Sequence, residues 1–593
     1  MKTRSVLLVL LFVVAGEALG ADRSVEALRS TGLSGGLVVH LGCGTGQVTM
    51  ALRLSDAFIV HGLDTDAENV RKARATIGKA GCYGPVAVDT WNGSGLPYID
   101  NCVNVLVASA EAPKAECMRV LRPGGVLLTK AGGKWLSTVK PQPKDTDEWT
   151  HWLYDSGGNA VSKDLVAGPP RRLQWHGGPK WTRHHESMSS FQALVSAKGR
   201  VFYIIDEAPQ VSLFLPSDWQ LIARDAFNGK ILWKKKFSSW VTQLMNYKSG
   251  PTQSTRRLVA VDDRVFVTPG LDQGVHVLDA ATGKTLRVLD KTAATEEILC
   301  RHGVLYLMTN DKPNLYPEQT RFGRNDWRGQ TKWLRAVDPE TGKHLWDVET
   351  PVAPLSFAVT ERGVFFHDGK ALRCLNLADG KEKWRTTLLL DDVIPTSNTP
   401  TLVQVQDVVL FIGGKDQGNY RGAKGHYVSK NLRTFTALSA EMGKVLWTNK
   451  TINTGFECPK DILVLDGLVW IGDIHQGHNS GAFTGRDIHT GEVKREFKPP
   501  WNIYWFHQRC YRSKATERFI MPSRTGTEFI SPTEGWTSFN HWVRGACLYG
   551  NMPANGLLYQ PPHPCGCYME SLLHGFNALA PAAEGKPATD AAG

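Results

Sequence analysis

Apolar runs and amphipathic segments alternate along residues 35–134. Five short apolar runs have the length of buried strands: LVVHL, FIVHGLD, PVAVD, VNVLVAS and GGVLLTK. The stretch DAENVRKARATIGKA, after the second run, carries apolar residues at helical spacing, namely Val70, Ala73, Ile77 and Ala80. Alternating strands and helices predict a parallel sheet with helices on both faces, and such sheets bind ligands at the carboxyl ends of their strands.

A glycine-rich turn follows the first predicted strand. Gly42, Gly44 and Gly46 have a G-x-G-x-G spacing, and Asp64 ends the second predicted strand. Glycines here remove the Cβ atoms that would keep a ligand away from the backbone, and an acidic side chain after strand two can accept both ribose hydroxyls. Gln47 stands where the dinucleotide fingerprint has its third glycine. The pattern therefore predicts a nucleotide pocket whose glycine spacing differs from that of the dinucleotide fingerprint.

Four stretches of this region resemble the class I S-adenosylmethionine-dependent methyltransferases, specifically their small-molecule type 11 branch. They are VVHLGCGTG, HGLDTDAENVRKAR, VAVDTWNGSGLPYIDNCVNVLVAS and MRVLRPGGVLL. The resemblance implies an α/β Rossmann-like domain over residues 24–140 that binds S-adenosylmethionine. The residues that it assigns to the pocket are Gly42, Gly44 and Gly46 at the methionine part, Asp64 at the ribose, and Asp89 with Thr90 at the adenine.

Two features depart from the family's pattern. The family usually continues past its fifth strand into two more strands, whereas here LLTKAGGKWLSTVKPQPKD leads straight into sequence of another kind. Asn104 stands where the family usually has an acid opening the fourth strand. No residue stands out as a general base, although simple methyl transfer can proceed by positioning alone. The methyl acceptor is not predicted.

A second pattern begins after Pro143, where the helical spacing disappears and an apolar strand, a turn and another strand recur. The turn glycines of the six copies are Gly229, Gly283, Gly342, Gly380, Gly443 and Gly491. They lie about fifty residues apart, and repeats of that length built from short strands predict a β-propeller or array. Glycine suits this turn because it can take positive φ.

Tryptophan recurs at one position of the repeat, in the strand after the turn, as Trp233, Trp346, Trp384 and Trp447. We expect each of these rings to pack between neighbouring blades rather than to stack on a ligand. RFIMPSRTGTEFISP predicts a degenerate seventh blade, and GLLYQPPHPCGCYMESLLHGFNALAP a closing one. The chain is therefore multidomain, with an all-β propeller of eight blades favoured and seven as the alternative.

The repeats resemble PQQ-like, or quinoprotein-alcohol-dehydrogenase-like, propeller repeats. The resemblance covers residues 147–580, and residues 581–593 are expected to form a disordered tail. Dehydrogenases of this family use two adjacent cysteines near pyrroloquinoline quinone, whereas the nearest pair here is Cys565-Gly-Cys567. We therefore do not expect quinone binding, and the family also includes non-enzymatic scaffolds.

Eight histidines stand outside the repeat: His151, His184, His185, His475, His478, His507, His541 and His563. Histidine is a common metal ligand and acid–base residue near neutral pH, and loops from different blades converge at one mouth. The spacings match no metal motif, so no metal site is predicted. Two interpretations stay open, a functional cluster at the mouth or polar side chains that satisfy one another.

The amino-terminal twenty residues have the order of regions of a secretory signal. Lys2 and Arg4 precede an unbroken apolar run, Val6 to Ala15, and small residues then favour cleavage before Ala21. The run is too short to span a bilayer, which takes about twenty residues. We expect a signal peptide at residues 1–20 and an exported protein, periplasmic or extracellular; a buried first helix or a membrane anchor is the alternative. No later segment is apolar enough to span.

Charge and cysteine content add little. The formal net charge is +11, but it is spread along the chain rather than gathered in a patch, so no nucleic-acid partner is expected. The cysteines number eleven, and an odd count leaves at least one without an intrachain partner. Cys547, Cys565 and Cys567 could include one bridge, and the CGC step is too sparse for a structural zinc site.

Three hypotheses for function remain. The first is an S-adenosylmethionine-dependent methyltransferase whose propeller holds an unknown substrate or protein partner. The second is a non-catalytic propeller scaffold with a degenerate Rossmann domain. The third is a propeller enzyme that acts through its histidine-rich mouth. The cofactor is made in the cytosol, which weighs against the first hypothesis for an exported chain, whereas the intact glycine turn and Asp64 favour it.

Overall fold

The structure is a computed structural model. It describes residues 22–184, 188–241, 250, 252–314, 324–325, 327, 329–390, 394–395, 400–414, 432–452, 459–472, 482–498, 510–522, 526–564 and 571–582. The chain forms two compact units, the first made of Met1–Lys144 with Ala223–Lys234 and the second of Asp145–Ile222 with Lys235–Gly593. The predicted signal peptide lies outside the described residues.

The first unit is built on one six-stranded sheet in the order β3-β2-β1-β4-β5-β6. Its strands are β1 Gly36–Leu41, β2 Phe58–Asp64, β3 Val86–Thr90, β4 Val103–Ala108, β5 Leu121–Ala131 and β6 Lys134–Val139. The first five are parallel and β6 is antiparallel to β5. Its helices are α1 at residues 22–30, α2 Gln47–Ala51, α3 Ala67–Lys79 and α4 Lys114–Val120.

Two apolar clusters cover the two faces of this sheet, because successive side chains of a strand point to opposite sides. Val38 of β1 belongs to one cluster and Val39 to the other. Helix α3 buries Val70, Ala73 and Ile77 as predicted, whereas Ala80 is exposed at the helix C-cap. The alternation read from the sequence is therefore confirmed.

Strand β6 corrects the expectation that the chain leaves the domain directly after strand five. LLTKAGGKWLSTV forms a β5–β6 hairpin, in which Leu128 pairs with Ser137 and Lys130 with Trp135. Five of the six residues of β6 are exposed. An exposed edge strand carries no apolar run, which explains why the sequence pattern did not predict it.

The chain also forms eight antiparallel blades, which confirms the favoured count, and blade 1 includes the segment Ala223–Lys234 that groups with the first unit. Blade 1 consists of β9 Phe191–Ala197, β10 Arg200–Asp206, β11 Trp219–Asp225 and β12 Ile231–Lys236, and blade 2 of β13 Leu258–Val261, β14 Arg264–Val267, β15 His276–Asp279 and β16 Thr285–Val288. Blade 3 consists of β17 Thr295–Arg301, β18 Val304–Asn310, β20 Lys332–Val337 and β21 His344–Glu349, and blade 4 of β22 Phe357–Thr360, β23 Gly363–His367, β24 Ala371–Leu375 and β25 Glu382–Thr387. A 3₁₀ helix, Thr252–Arg257, precedes blade 2. Strands β19 Arg324–Asn325 and β26 Ile394–Pro395 form a separate pair.

Blades 5 to 8 complete the ring. Blade 5 consists of β27 Thr401–Val405, β28 Val408–Gly413, β29 Leu432–Ser439 and β30 Val445–Ile452, and blade 6 of β31 Leu463–Leu465, β32 Leu468–Gly472, β33 Phe483–Asp487 and β34 Val493–Phe497. Blade 7 consists of β35 Lys514–Thr516, β36 Ile520–Met521, β37 Phe529–Ser531 and β38 Trp536–Ser538, joined by β7 Val161–Ser162. Blade 8 contains β39 Met552–Ala554, β40 Leu557–Gln560 and β41 Phe576–Ala580. Strand β8, Arg172–Gly177, pairs with β41. Blade 8 is thus closed by a strand that precedes blade 1.

The six predicted turn glycines all have positive φ, from 68° to 79°. In each turn the glycine N–H donates to the carbonyl four residues earlier, as from Gly229 to Asp225 at 3.0 Å. Gly535 in blade 7 repeats this geometry, with a φ of 76° and a bond to Ser531 of 2.9 Å. The sequence pattern identified its blade as degenerate and did not include this turn.

Three of the recurring tryptophans pack against the turn of the next blade. Their indole Nε1–H groups donate to carbonyls at 2.8–2.9 Å; the pairs are Trp346 with Leu377, Trp384 with Ala440 and Trp447 with Ile488. A Cβ on the next blade's glycine would meet the ring, at 2.7 Å from Trp346 for Gly380. Packing between blades is therefore confirmed for these three, and Trp233 is half-buried.

Residues 147–164, which we call the central belt, bond to the inner strand of every blade or to the turn directly after it. In blade order the partners are Trp149 with Ser196, Thr150 with Ala260, His151 with Cys300, Ser156 with Val359, Gly157 with Gln404, Asn159 with Val464, Ala160 with Ala515, and Asp147 with Asn555. Most of these bonds use backbone groups. The belt therefore ties the whole ring together, and its sequence shows no periodicity that predicts it.

Candidate functional site

The glycine turn lies at the carboxyl end of β1. Gly42 donates its N–H to Leu63 at 2.7 Å, and Gly42, Gly44 and Gly46 have φ of 79°, 52° and 86°. A Cβ on Gly42 would lie 3.2 Å from Ala110, and one on Gly46 would lie 3.0 Å from Ala73. The turn therefore needs these two glycines for its own packing.

Gly44 differs from its two neighbours. A Cβ built on it meets no atom within 4 Å, so its outer side is open space. This is the place where a ligand could approach the backbone closely. The three predicted pocket glycines thus separate into two that pack and one that leaves room.

Asp64 ends β2 directly beside this turn and is 7% exposed. One carboxylate oxygen accepts from the Gly44 N–H at 2.9 Å; the other accepts from the Asp66 N–H at 3.0 Å and from the Asn69 amide at 3.3 Å. Burial acts to raise the pKa of Asp64, but these hydrogen bonds outweigh it and hold the pKa below its usual value. The group is therefore an ionised acceptor that also shapes the turn.

The bonding capacity of Asp64 tests whether a ribose fits. A carboxylate offers about four acceptor positions; the three bonds above use three of them, and the Cys43 thiol also hydrogen-bonds the carboxylate. A ribose hydroxyl therefore fits when a weaker contact, from Cys43 or Asn69, yields. The acceptor is compatible with the predicted ribose role on that condition.

Asp89 and Thr90 end β3, and Thr90 lies opposite Asp64 in the sheet register. Both side chains are exposed. Asp89 accepts from His61 Nε2 at 3.1 Å and pairs with Arg74. The structure therefore brings both residues to the same edge as Asp64, and their role at the adenine stays a prediction.

A pocket of about 740 Å³ opens at the same edge, at the carboxyl ends of β4 and β5. Its lining includes Ser109, Glu111, Cys117, Thr129 and Lys130. Ala110, also in its wall, is the residue that a Cβ on Gly42 would meet. The pocket wall and the glycine turn are therefore neighbours.

His40, in the middle of the LVVHLG stretch, lies beneath this pocket and is 2% exposed. Its Nδ1 bonds Thr49 Oγ1 at 2.9 Å, and its Nε2 bonds Ser109 Oγ at 3.1 Å. Burial, helped by the charge of Lys130 and opposed by that of Asp64, lowers the pKa of His40 to about 4. The ring is neutral at pH 7. The sequence alone did not single it out, although a histidine inside an apolar strand before a glycine turn is a usable signal.

Asn104 lies at the amino end of β4, at the end of that strand away from the pocket. Its Oδ1 accepts from the Leu37 N–H at 2.8 Å and from Asn228 at 2.6 Å, and its amide donates to Asp225 at 2.6 Å. Arg122 also approaches Asp225, at 3.3 Å. All of these residues belong to the first unit. An acid at position 104 would face the Asp225 carboxylate, which explains the amide in physical terms.

The histidines outside the repeat divide into two groups. His185, His475, His478 and His507 lie outside the described residues. His151 belongs to the central belt, where its Nε2 accepts from the Cys300 N–H at 3.0 Å and burial lowers its pKa to about 3. His563 is buried, His184 is half-buried, and His541 Nε2 lies 4.0 Å from Glu528. His151 therefore has a structural role in the belt.

The potential metal ligands of the described residues lie apart from one another. Within that part of the chain, no three histidine, cysteine, aspartate or glutamate side chains form a group that could hold a metal ion. Cys547 is buried, and Cys565 and Cys567 lie outside the described ranges. The predicted bridge among these three cysteines stays untested.

Comparison with known families gives two matches. Residues 38–125 match the family model of a methyltransferase domain. Residues 330–498 match the family model described as outer membrane protein assembly factor BamB. The chain joins a methyltransferase-like domain to a PQQ-like propeller. No curated protein matches it.

Solved structures with similar parts include BamB from Moraxella catarrhalis, at 12% identity and a TM-score of 0.33 over 67% of this chain and 84% of that one. A putative S-adenosyl-L-methionine-dependent methyltransferase from Methanococcus maripaludis has 20% identity and a TM-score of 0.17 over 18% of this chain and 52% of that one. A SAM-dependent methyltransferase from Aquifex aeolicus has 24% identity and a TM-score of 0.17 over 18% and 61%. The chain spans less than two thirds of the length of these two methyltransferases.

Across the described ranges, no helix has both the length and the apolar character needed to cross a membrane.

Proposed function

We propose that the first unit binds S-adenosylmethionine and transfers its methyl group to a small molecule, and that the propeller binds the substrate or a protein partner. The observation that carries this proposal is that two features lie at the same edge of the sheet, where the parallel strands end. The open side of Gly44 follows β1, and the pocket of about 740 Å³ follows β4 and β5. Both fall largely within the segment that matches the methyltransferase model.

Each part of this edge has a task in the proposal. Gly44 lets the methionine part approach the backbone, Asp64 accepts from the ribose, and Asp89 with Thr90 borders the adenine. The pocket beyond Ser109 receives the methyl acceptor. S-adenosylmethionine supplies the methyl group when it is bound, and the chain supplies the orientation that brings the reactants together.

The proposed role of the propeller is binding rather than catalysis. The family model that matches blades of this propeller is named for an assembly factor. The cavity between the central belt and the inner strands has a volume of about 20 Å³, which is room for a single water. This cavity is too small for a substrate, so a substrate or partner is expected elsewhere on the propeller.

Export is also part of the proposal. The basic start and ten-residue apolar run of the amino terminus support it. Amino-terminal sequencing of the protein from its native host should find a start near Ala21. An intact Met1 on protein from the cytosol would contradict export and would remove the difficulty of cofactor supply.

Calorimetric titration with S-adenosylmethionine and S-adenosylhomocysteine tests the binding step. We expect the wild type to bind both and Gly44→Val to bind neither, because the new side chain would occupy the open space. Gly81→Val is the matched control, since Gly81 also has positive φ, 70°, and an open side, but lies after α3. A folded wild type without measurable affinity would sink the proposal and favour the scaffold hypothesis.

A further inference from the structure

We infer that Ser109 and His40 form the proton-accepting pair of the pocket and that the methyl acceptor is a hydroxyl compound. This rests on the proposed methyl transfer and adds a substrate class to it. Ser109 is exposed in the pocket wall, whereas His40 is buried behind it, with 3.1 Å between Ser109 Oγ and His40 Nε2.

The Nδ1 atom of His40 determines the direction of the hydrogen bond between Ser109 and His40. His40 Nδ1 lies 2.9 Å from the hydroxyl of Thr49, which is fully buried in α2. A proton on Nδ1 that is donated to Thr49 leaves the Nε2 lone pair facing Ser109. In that tautomer Ser109 donates to His40, and the serine oxygen is free to accept from a molecule in the pocket.

The surroundings of His40 keep its ring unprotonated before the proton transfer. Its burial and the nearby Lys130 disfavour the charged ring, while Asp64 favours it. The ring therefore stays neutral through the physiological range. A weak base is sufficient here because an oxygen that gains a methyl group while it still holds its proton becomes strongly acidic.

The proposed step balances as follows. The acceptor oxygen forms a bond to the methyl carbon, and the bond from that carbon to sulfur breaks with its electron pair going to sulfur. The acceptor's proton moves to Ser109 Oγ, and the proton of Ser109 moves to His40 Nε2. The positive charge lost at sulfur appears on the imidazole, so total charge is unchanged.

Turnover of hydroxyl probes tests the pair. Phenol, catechol and glycerol serve as hydroxyl probes, and benzoate serves as an acceptor that is already ionised. Ser109→Ala should lower methylation of the hydroxyl probes about a hundredfold or more and leave benzoate methylation and S-adenosylhomocysteine affinity within about twofold. Ser137→Ala is the control, since it removes an exposed hydroxyl of β6 that does not line the pocket.

A second variant and a spectroscopic measurement distinguish loss of the proton-accepting role of His40 from damage to the fold. His40→Gln can still accept from Ser109 but cannot take a proton, so kcat should fall while KM and cofactor affinity stay near wild type. Nitrogen NMR of the wild type should show the Nδ1–H tautomer of His40, and this signal should change in Ser109→Ala. The spectrum needs neither cofactor nor turnover.

The outcomes divide cleanly. The inference is overturned by an Nε2–H tautomer, by equal losses with benzoate and hydroxyl probes, or by a wild type that binds S-adenosylmethionine yet methylates none of the hydroxyl probes. A wild type that binds no S-adenosylmethionine overturns the proposed function itself, and the calorimetric result distinguishes that failure from the other three.

Discussion

Glycines with positive φ are used in two different ways in the two units. In the propeller, the turn glycine of one blade is covered by the indole of the preceding blade, as Gly443 is by Trp384. In the first unit, Gly44 has a similar backbone conformation but nothing covers it. The same residue type therefore packs against an indole at Gly443 and leaves open space at Gly44.

Blade 2 shows that the covering group need not be an indole. Arg287 takes the place of the tryptophan there, and a Cβ on Gly342 would lie 3.2 Å from its side chain. The guanidinium donates to the Glu340 carbonyl at 3.0 Å. In four of the propeller turns a flat group with an N–H donor covers the glycine, whereas Gly535 in blade 7 and Gly44 in the first unit both have an open side.

The largest expected effect on folding comes from deleting strands of the closing blade, because each blade packs against its neighbours. Deleting residues 556–593 removes β40 and β41 and leaves β8 without its partner. Blades bury their faces only against each other, and the unpaired edge promotes aggregation. We expect protease-sensitive, aggregated protein by size-exclusion chromatography.

The control for this deletion is a chain that ends at residue 582, just beyond β41. It should melt like the full-length protein. A chain lacking residues 556–593 that melted as cooperatively as the control would contradict ring closure by this segment.

Filling a covered glycine comes next in size. Gly443→Val would drive its Cβ into the Trp384 ring, at a φ of 68°. Overpacking and left-handed strain together should lower the free energy of unfolding by roughly 2–5 kcal/mol. Gly303→Val is the control, since Gly303 has positive φ but an open side. Equal denaturant midpoints for the two variants would show that the covering ring does not matter.

Acid should weaken both units through buried histidines. Burial lowers the pKa of His40 and His367 to about 4 and that of His151 to about 3. Below the unfolded value of 6.5, the unfolded chain binds protons that the folded chain does not. Stability therefore falls as the pH drops from 6.5 and levels off below the folded values.

Denaturant melts at pH 7 and pH 5 measure this loss. Between pH 6.5 and 5 each histidine should cost about 2 kcal/mol, once in the first unit and twice in the propeller. His40→Gln should flatten the pH dependence of the first unit and leave that of the propeller intact. An unchanged pH dependence in this variant would show that His40 does not titrate as its burial requires.

What the sequence could predict follows from how each feature is encoded. The sheet and the blades were predictable because apolar runs and turn glycines repeat at fixed spacing. The edge strand β6 was not, because its side chains face water. The central belt acts mostly through backbone groups, which have no sequence signature. His40 and Ser109 are brought together only by the pairing of β1 with β4.

The smallest expected effect concerns the ligand side of the comparison. Asp64→Ala removes an ionised acceptor from the open turn, and hydrogen bonds to a charged group contribute roughly 1.5–3 kcal/mol. S-adenosylmethionine affinity should therefore fall about ten- to a hundredfold by calorimetry. Part of that loss would come through Gly44, whose N–H loses its partner. Asp64→Asn keeps one oxygen acceptor without the charge, so its affinity should lie between those of Asp64→Ala and wild type. Asp56→Ala, at an exposed acid before β2, should bind as the wild type does. Equal affinities for Asp64→Ala and Asp56→Ala would show that Asp64 shapes the glycine turn and does not bind the cofactor.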